Sequence, residues 1–178
     1  MHDLAFRNAS LDDLDAITAL VTSAYRGDSS RRGWTTEADL LDGPRIDRDL
    51  LRADILRPRS TVLLAEHEGA PIACAHIAAA DNVGYFGMFA VQPQAQGHGL
   101  GKAVLAEAER IAWKTWRAPI IRMSVIDVRD ELIAFYQRRG YRRTGIKQPF
   151  PYGDARFGLP KRDDLRFEVL EKPLEGAA

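Results

Sequence analysis

The stretch Gln96-Gly97-His98-Gly99-Leu100-Gly101-Lys102 constrains this chain more than any other. It follows an apolar run, VGYFGMFAV (83–91), whose β-branched and aromatic residues suit a strand. After it comes AVLAEAERIAWKTW, where Leu100, Ala103, Val104, Ala108, Ile111 and Ala112 form one apolar stripe opposite Lys102, Glu109, Arg110 and Lys114. The predicted order is strand, glycine turn, long amphipathic helix. Glycines at alternate positions permit a tight turn and leave backbone N–H groups uncovered, and a helix start adds the equivalent of about half a positive charge. Such a turn either simply redirects the chain or cradles a phosphate or pyrophosphate. Spacing excludes two common phosphate loops. A dinucleotide fingerprint needs G-x-G-x-x-G, whereas the glycines here fall at 97, 99 and 101. A Walker loop needs four residues before Gly-Lys and a hydroxyl after it, whereas this chain has three and then Ala103.

Hydrophobic periodicity organises the rest. Ser10 is placed to cap a helix over about 10–25, with Leu11, Leu14, Ile17, Leu20 and Val21 on one face and Asp12, Asp13 and Asp15 in its first turn. A polar, glycine-containing segment leads to a second helix, DRDLLRADILR (47–57), ended by Pro58. From Ser60 the period becomes extended. TVLLAEHEG (61–69) and APIACAHIAAA (70–80), joined by a turn at Glu68–Gly69–Ala70, form an antiparallel meander with 83–91. Downstream follow a strand PIIRMSVID (119–127), a helix DELIAFYQRR (130–139) broken by Gly140, and a strand YRRTGIKQ (141–148). A proline-rich loop (149–164) precedes a last strand, LRFEVLEK (165–172). The expected fold class is α/β, a mixed, mostly antiparallel sheet with helices on both faces, in one domain spanning 1–178. A chain of 178 residues buries roughly 70% of its unfolded surface, so it needs no cross-links to hold a core.

Composition narrows the function. Lys and Arg total 25 and Asp and Glu total 25, so no general basic excess exists to displace counterions from nucleic acid or to draw the protein to an acidic membrane. Cys74 stands alone and cannot form an internal disulfide. Histidines at 2, 67, 76 and 98 are scattered, which leaves no metal cage to expect. No run approaches the ~20 apolar residues of a membrane helix, and the N-terminus carries acids where a signal peptide is apolar. The expectation is a cytoplasmic protein without nucleic-acid or membrane partners.

Gln96-x-x-Gly99-x-Gly101, after an apolar strand and Val91-x-Pro93, resembles the coenzyme motif of the GNAT superfamily of acetyl-CoA-dependent acyltransferases. ELIAFYQRRGYRRTG (131–145) resembles that family's tyrosine-bearing helix and the Gly-Tyr that opens its next strand. The order of elements matches along nearly the whole chain. The resemblance implies that the strand at 83–91 splays from a parallel neighbour and that coenzyme A lies in the gap. It implies backbone contacts from Phe89, Ala90 and Val91, with the Phe89 amide facing the thioester carbonyl. It places the pyrophosphate on Gln96, Gly97, His98, Gly99, Leu100, Gly101 and Lys102, although a lysine in a helix's first turn is also commonly just solvated. Tyr136 matches the tyrosine that protonates the leaving thiolate; packing beside Phe135 is its plain structural alternative. Arg129 replaces an asparagine often found there, which leaves that residue's pantetheine contact open.

The strand at 83–91 lacks the glutamate that many relatives use as a base, leaving His76, Glu37, Asp39 and Asp81 as candidates. The loop at 31–43 carries Trp34, Glu37 and Asp39, an aromatic plate beside carboxylates that suits an amine cation, or a polar loop pinned by one tryptophan. Phe150 and Tyr152 supply an opposite wall. The expected reaction moves acetyl from acetyl-CoA, without metal, to a primary amine by direct attack, and homodimers are frequent among relatives. The alternative is a non-catalytic acyl-CoA sensor, favoured by the missing strand carboxylate. Acids cluster in the first helix and at 37–54, while 138–147 holds Arg138, Arg139, Arg142, Arg143 and Lys147 without an acid. That segregation suits an anionic coenzyme at one end and an amine at the other.

Overall fold

The structure, a computed structural model, describes residues 4–174. A strand that sequence reading did not identify, β1 (Leu4–Asn8), comes first. Ser10 then starts a short 3-10 turn: its side chain accepts from the Asp12 N–H while the Asp13 carboxylate accepts from the Ser10 N–H at 2.8 Å. Two otherwise unpaired donors are thereby satisfied at the entrance to α1 (Leu14–Tyr25). The polar segment that follows contains a one-turn helix, α2 (Gly27–Ser30), and a two-residue strand, β2 (Leu41–Asp42). Next is α3 (Arg48–Leu56), capped by Asp47, whose Oδ1 accepts from the Leu50 N–H at 2.9 Å.

The meander follows as β3 (Ser60–His67), β4 (Ala70–Ala80) and β5 (Val83–Val91). Then come α4 (Leu100–Trp116), β6 (Ile120–Ile126), α5 (Asp130–Gln137) and β7 (Arg142–Pro149). A two-residue β8 (Leu159–Pro160) and β9 (Arg166–Pro173) complete the set. Seven strands form one mixed sheet in the order β1-β3-β4-β5-β6-β9-β7, as the α/β expectation required. Among the described residues only β5 and β6 pair in parallel.

That parallel ladder is short: Val83, Gly84 and Tyr85 pair with Ile120, Ile121 and Arg122, and pairing then stops although both strands continue. Its cause lies on the other edge of β5. Cys74 pairs with Ala90 but His76 pairs with Gly87, so β5 carries an extra residue there, and Met88 takes a left-handed φ of +46°. A bulge of this kind bends its strand and strengthens its twist. The result is a V-shaped opening between β5 and β6.

Side chains alternate across the sheet into two cores. On one face Ile77, Phe86 and Phe89 pack against Val104 and Ile111 of α4 and Ile133 of α5. On the other, Val62, Leu64 and Cys74 pack against Ile17 and Val21 of α1 and Leu51 of α3. A smaller cluster of Leu41, Ile126, Phe150 and Leu165 lies beneath the two long loops, which join where β2 pairs antiparallel with β8.

Candidate active site

Gly99 immediately precedes α4, with φ +77°, and Gly97 has φ +87°. Side chains other than those of glycine, asparagine and aspartate rarely adopt this conformation. A Cβ built at either position meets nothing within 4 Å, so the turn faces open space. Gly101 serves a different end: its added Cβ would lie 3.3 Å from Phe89 Cζ and 3.5 Å from Phe135 Cζ, so glycine lets the two rings pack closely against the helix. The uncovered start of α4 thus opens into a cleft walled by Trp34, Phe89, Val91 and Phe135. Lys102, Arg138 and Arg139 bring three cations to it. Arg139 stacks 3.5 Å above the centre of the Phe135 ring and donates from Nη1 to the Phe135 carbonyl at 2.7 Å.

Two side chains tie the loop at 33–45 across this cleft. Gln96 accepts the Trp34 N–H at 2.9 Å and donates to Thr35 Oγ1 and the Val91 carbonyl, both at 3.0 Å. Its amide is thus spent on the loop and on β5, with no N–H left for the pyrophosphate that the family resemblance places on it. Arg129, just before α5, donates to Glu37 Oε1 at 2.9 Å and to the Thr35 carbonyl at 2.5 Å.

The opening between β5 and β6 forms a second cavity, which shares Phe89 with the first. Tyr25, Glu37, Arg45, Arg129 and Tyr136 line it, with Leu132 and Phe150 among its apolar walls. Glu37 is buried and bound by three arginines: Arg26 at 2.5 Å, Arg129 at 2.9 Å and Arg45 at 3.3 Å. Burial alone would raise the Glu37 pKa, but the fields of Arg45, Arg129 and Arg26 outweigh it and hold the carboxyl below its ordinary value. Glu37 is therefore a weak base. The Tyr25 hydroxyl donates to the Phe89 carbonyl and stiffens β5 at the bulge. Tyr136 packs its ring edge-on to Phe135 and Tyr141, and its hydroxyl meets no protein partner among the described residues. Burial pushes the Tyr136 phenol well above its ordinary pKa, so it stays protonated.

The remaining candidates fall in different places. Ala90 and Leu100 are buried in the cores on either side of the sheet, and His98 is exposed. Trp34 lies on the glycine-turn cleft, 5.5 Å from Phe135, and not on the cavity around Tyr136. Asp39 is exposed and paired with Arg31 at 2.8 Å. Tyr152 ties its own loop together, donating to the Arg162 carbonyl and accepting from the Leu165 N–H, each at 2.9 Å, while Phe150 reaches the cavity. His76 sits on the α3 side of the sheet, with Nε2 2.8 Å from Ser60 Oγ and Nδ1 3.6 Å from Asp54. Asp81 occupies the β4–β5 turn, at the opposite end of β5 from the glycines. Cys74 is buried, which pushes its thiol up to about 12 and leaves it unreactive. Among the described residues no group of three or more His, Cys, Asp or Glu could hold a metal ion.

Tyr25, Arg26 and Arg45 escaped sequence reading. Arg26 and Arg45 flank the polar loop at its two ends, which was the one available sign that they close onto a common carboxylate.

A family model described as "Acetyltransferase (GNAT) family" matches residues 20–141, from α1 through the glycine turn to the end of the tyrosine helix. The chain belongs to the GNAT acetyltransferase family. Solved structures agree on the fold of this GNAT protein. The ribosomal-protein-S18-alanine N-acetyltransferase of Escherichia coli superposes with a TM-score of 0.70 at 16% identity, over 98% of this chain and 96% of that one. An N-acetyltransferase from Staphylococcus aureus Mu50 gives 0.71 at 15% identity, over 97% and 99%. The PaiA N-acetyltransferase of Thermoplasma acidophilum, solved in complex with coenzyme A, gives 0.66 at 17% identity, over 96% and 99%. None of the curated proteins matches the sequence significantly. The chain is thus a member of an acetyltransferase family that uses acetyl-CoA. Open glycine positions, uncovered helix N–H groups, three cations and an unpaired strand edge fit that coenzyme. Among the described residues no helix is long and apolar enough to cross a membrane.

Proposed function

We propose that this chain acts as one catalytic domain that transfers the acetyl group of acetyl-CoA to a primary amine by direct attack. The observation that carries the reading is the meeting of two cavities at Phe89, one ending on the glycine turn and the other containing Tyr136. Acetyl-CoA supplies an activated acetyl group as a thioester. Gly97, Gly99 and Lys102, with Arg138 and Arg139, hold the pyrophosphate end through backbone N–H groups and charge. The edge of β5 from Phe89 to Val91, which pairs with no strand on the β6 side, presents its N–H groups to the pantetheine, its Phe89 and Val91 carbonyls being bonded to Tyr25 and Gln96, and the Phe89 N–H steadies negative charge on the carbonyl under attack. As the C–N bond forms and the C–S bond breaks, Tyr136 gives its proton to the departing sulfur, and the proton shed by the nitrogen passes to solvent, from which Tyr136 is reprotonated. Burial keeps the phenol neutral, so the proton this role requires is present on it, while the same burial makes Tyr136 a weaker acid than a free phenol. The acceptor enters from the side walled by Leu41, Arg45 and Phe150.

The test is thiol release from acetyl-CoA over a broad amine panel, with Tyr136→Phe alongside. The variant should bind acetyl-CoA as the parent does and turn over roughly 100-fold more slowly. Unchanged turnover removes Tyr136 as the acid. Silence of the parent across the panel, with coenzyme binding intact, favours the acyl-CoA sensor.

A further inference from the structure

The cavity around Tyr136 holds more positive charge than acetyl transfer uses. Its ionised lining residues are Arg26, Arg45, Arg129 and Glu37, three cations to one anion, set among phenylalanine, leucine and methionine side chains. Arg129 has partners for both terminal nitrogens, in Glu37 and the Thr35 carbonyl. Arg26 spends Nη1 on Glu37 and Nε on the Gly43 carbonyl at 3.2 Å, and its Nη2 is buried without a partner. Arg45 reaches Glu37 only through Nε, at 3.3 Å, and neither of its Nη groups has a hydrogen-bond partner among the described residues. Its guanidinium lies over the Tyr25 ring, 4.9 Å from the ring centre. The side chain is 30% exposed and lines both this cavity and the adjoining hollow by Tyr85 and His76.

A preorganised guanidinium with an unused fork in an apolar wall binds a carboxylate through two parallel hydrogen bonds. Three arginines share the single carboxylate of Glu37, an excess of positive charge that is costly in such a wall and is relieved when a second anion arrives. Coenzyme phosphates do not answer this charge, because the glycine-turn cleft has its own cations in Lys102, Arg138 and Arg139.

We propose that the acceptor is an amino carboxylate with an apolar side chain, whose carboxylate docks on Arg45. Glu37 holds the arginines in place, and Phe150, Phe157 and Phe167 receive the apolar group. This inference rests on the acetyl transfer proposed above.

Matched pairs test it: phenylalanine, leucine and methionine against their primary amides, with spermidine and tyramine as amines lacking an anion. Each is measured by thiol release with acetyl-CoA, and separately by calorimetric binding to the full chain in the presence of coenzyme A. The expected result is that the carboxylates bind and react at least about tenfold better than their amides in kcat/KM. Arg45→Met should remove that preference and leave coenzyme A affinity within about twofold, while Arg45→Lys should restore part of it. Amides or plain amines that react as well as the carboxylates overturn the proposal, as does failure of every carboxylate to bind. Arg45-dependent carboxylate binding without thiol release sustains it and overturns acetyl transfer instead.

Discussion

His76 shows how a residue's surroundings decide its use. Its ring is wedged between Ser60 and Asp54 on the α3 face, where burial lowers its pKa below the ordinary 6.5 despite the attraction of Asp54. A histidine held this way binds fewer protons folded than unfolded. Its contribution to stability is present above 6.5 and is lost as pH falls through its lowered folded value. In His76→Gln, which keeps a partner for Ser60, the urea midpoint should vary less between about pH 5 and 7 than in the parent. An identical pH dependence in the two proteins would acquit His76. At the same scale, the alternation of Cys74 and His76 put both on one sheet face, but only the fold reveals that this face looks towards α3 and away from Tyr136. Arg129 gives the complementary lesson. Its departure from the family's asparagine was visible in the sequence, and the structure shows an ion pair to Glu37 that anchors a loop distant in the chain.

Among the elements, those with strong internal periodicity were legible nearly to the residue. β3, β4 and β5 emerged because Glu68–Gly69 and Asp81–Asn82 punctuate alternating apolar runs, and these four residues all take positive φ. α4 emerged from its apolar stripe. β1 was missed because five residues in isolation carry little signal, and it exists through its pairing with β3. β2 and β8 are two residues each, so only their distant partners define them. The glycine turn is an element-level device, since Gly99 sets the start of α4 and Gly101 lets Phe89 and Phe135 close against it. Gly99→Asp should abolish measurable coenzyme A binding by calorimetry, whereas Gly99→Asn, which also tolerates a left-handed φ, should weaken it less. Equal affinity in Gly99→Asp and the parent would end the assignment of phosphates to this turn.

Across the whole molecule, the charge segregation seen along the chain dissolves into local pairs. Asp15 meets Arg48, Asp54 meets Arg57 and His76, and Arg143 and Lys147 both meet Glu168. Of the basic run at 138–147, Arg138 and Arg139 are the members that line the glycine-turn cleft. Linear spacing cannot distinguish these from neighbours neutralised across β9, because β7 itself bulges between Arg143 and Lys147. The three-pair ladder between β5 and β6 joins a panel of β1, β3, β4 and β5 to one of β6, β9 and β7. A coenzyme lying along the open edge of β5 would brace the two panels. Ligand present at 100 times its Kd should add about 2.7 kcal/mol of stability, read as a higher unfolding temperature with coenzyme A than without. No rise at saturation would mean that the coenzyme binds elsewhere. If acetyl-CoA finishes the sheet in this way, the protein's lifetime would be tied to metabolic supply: when the coenzyme is scarce, the less stable empty form would be the more open to proteolysis.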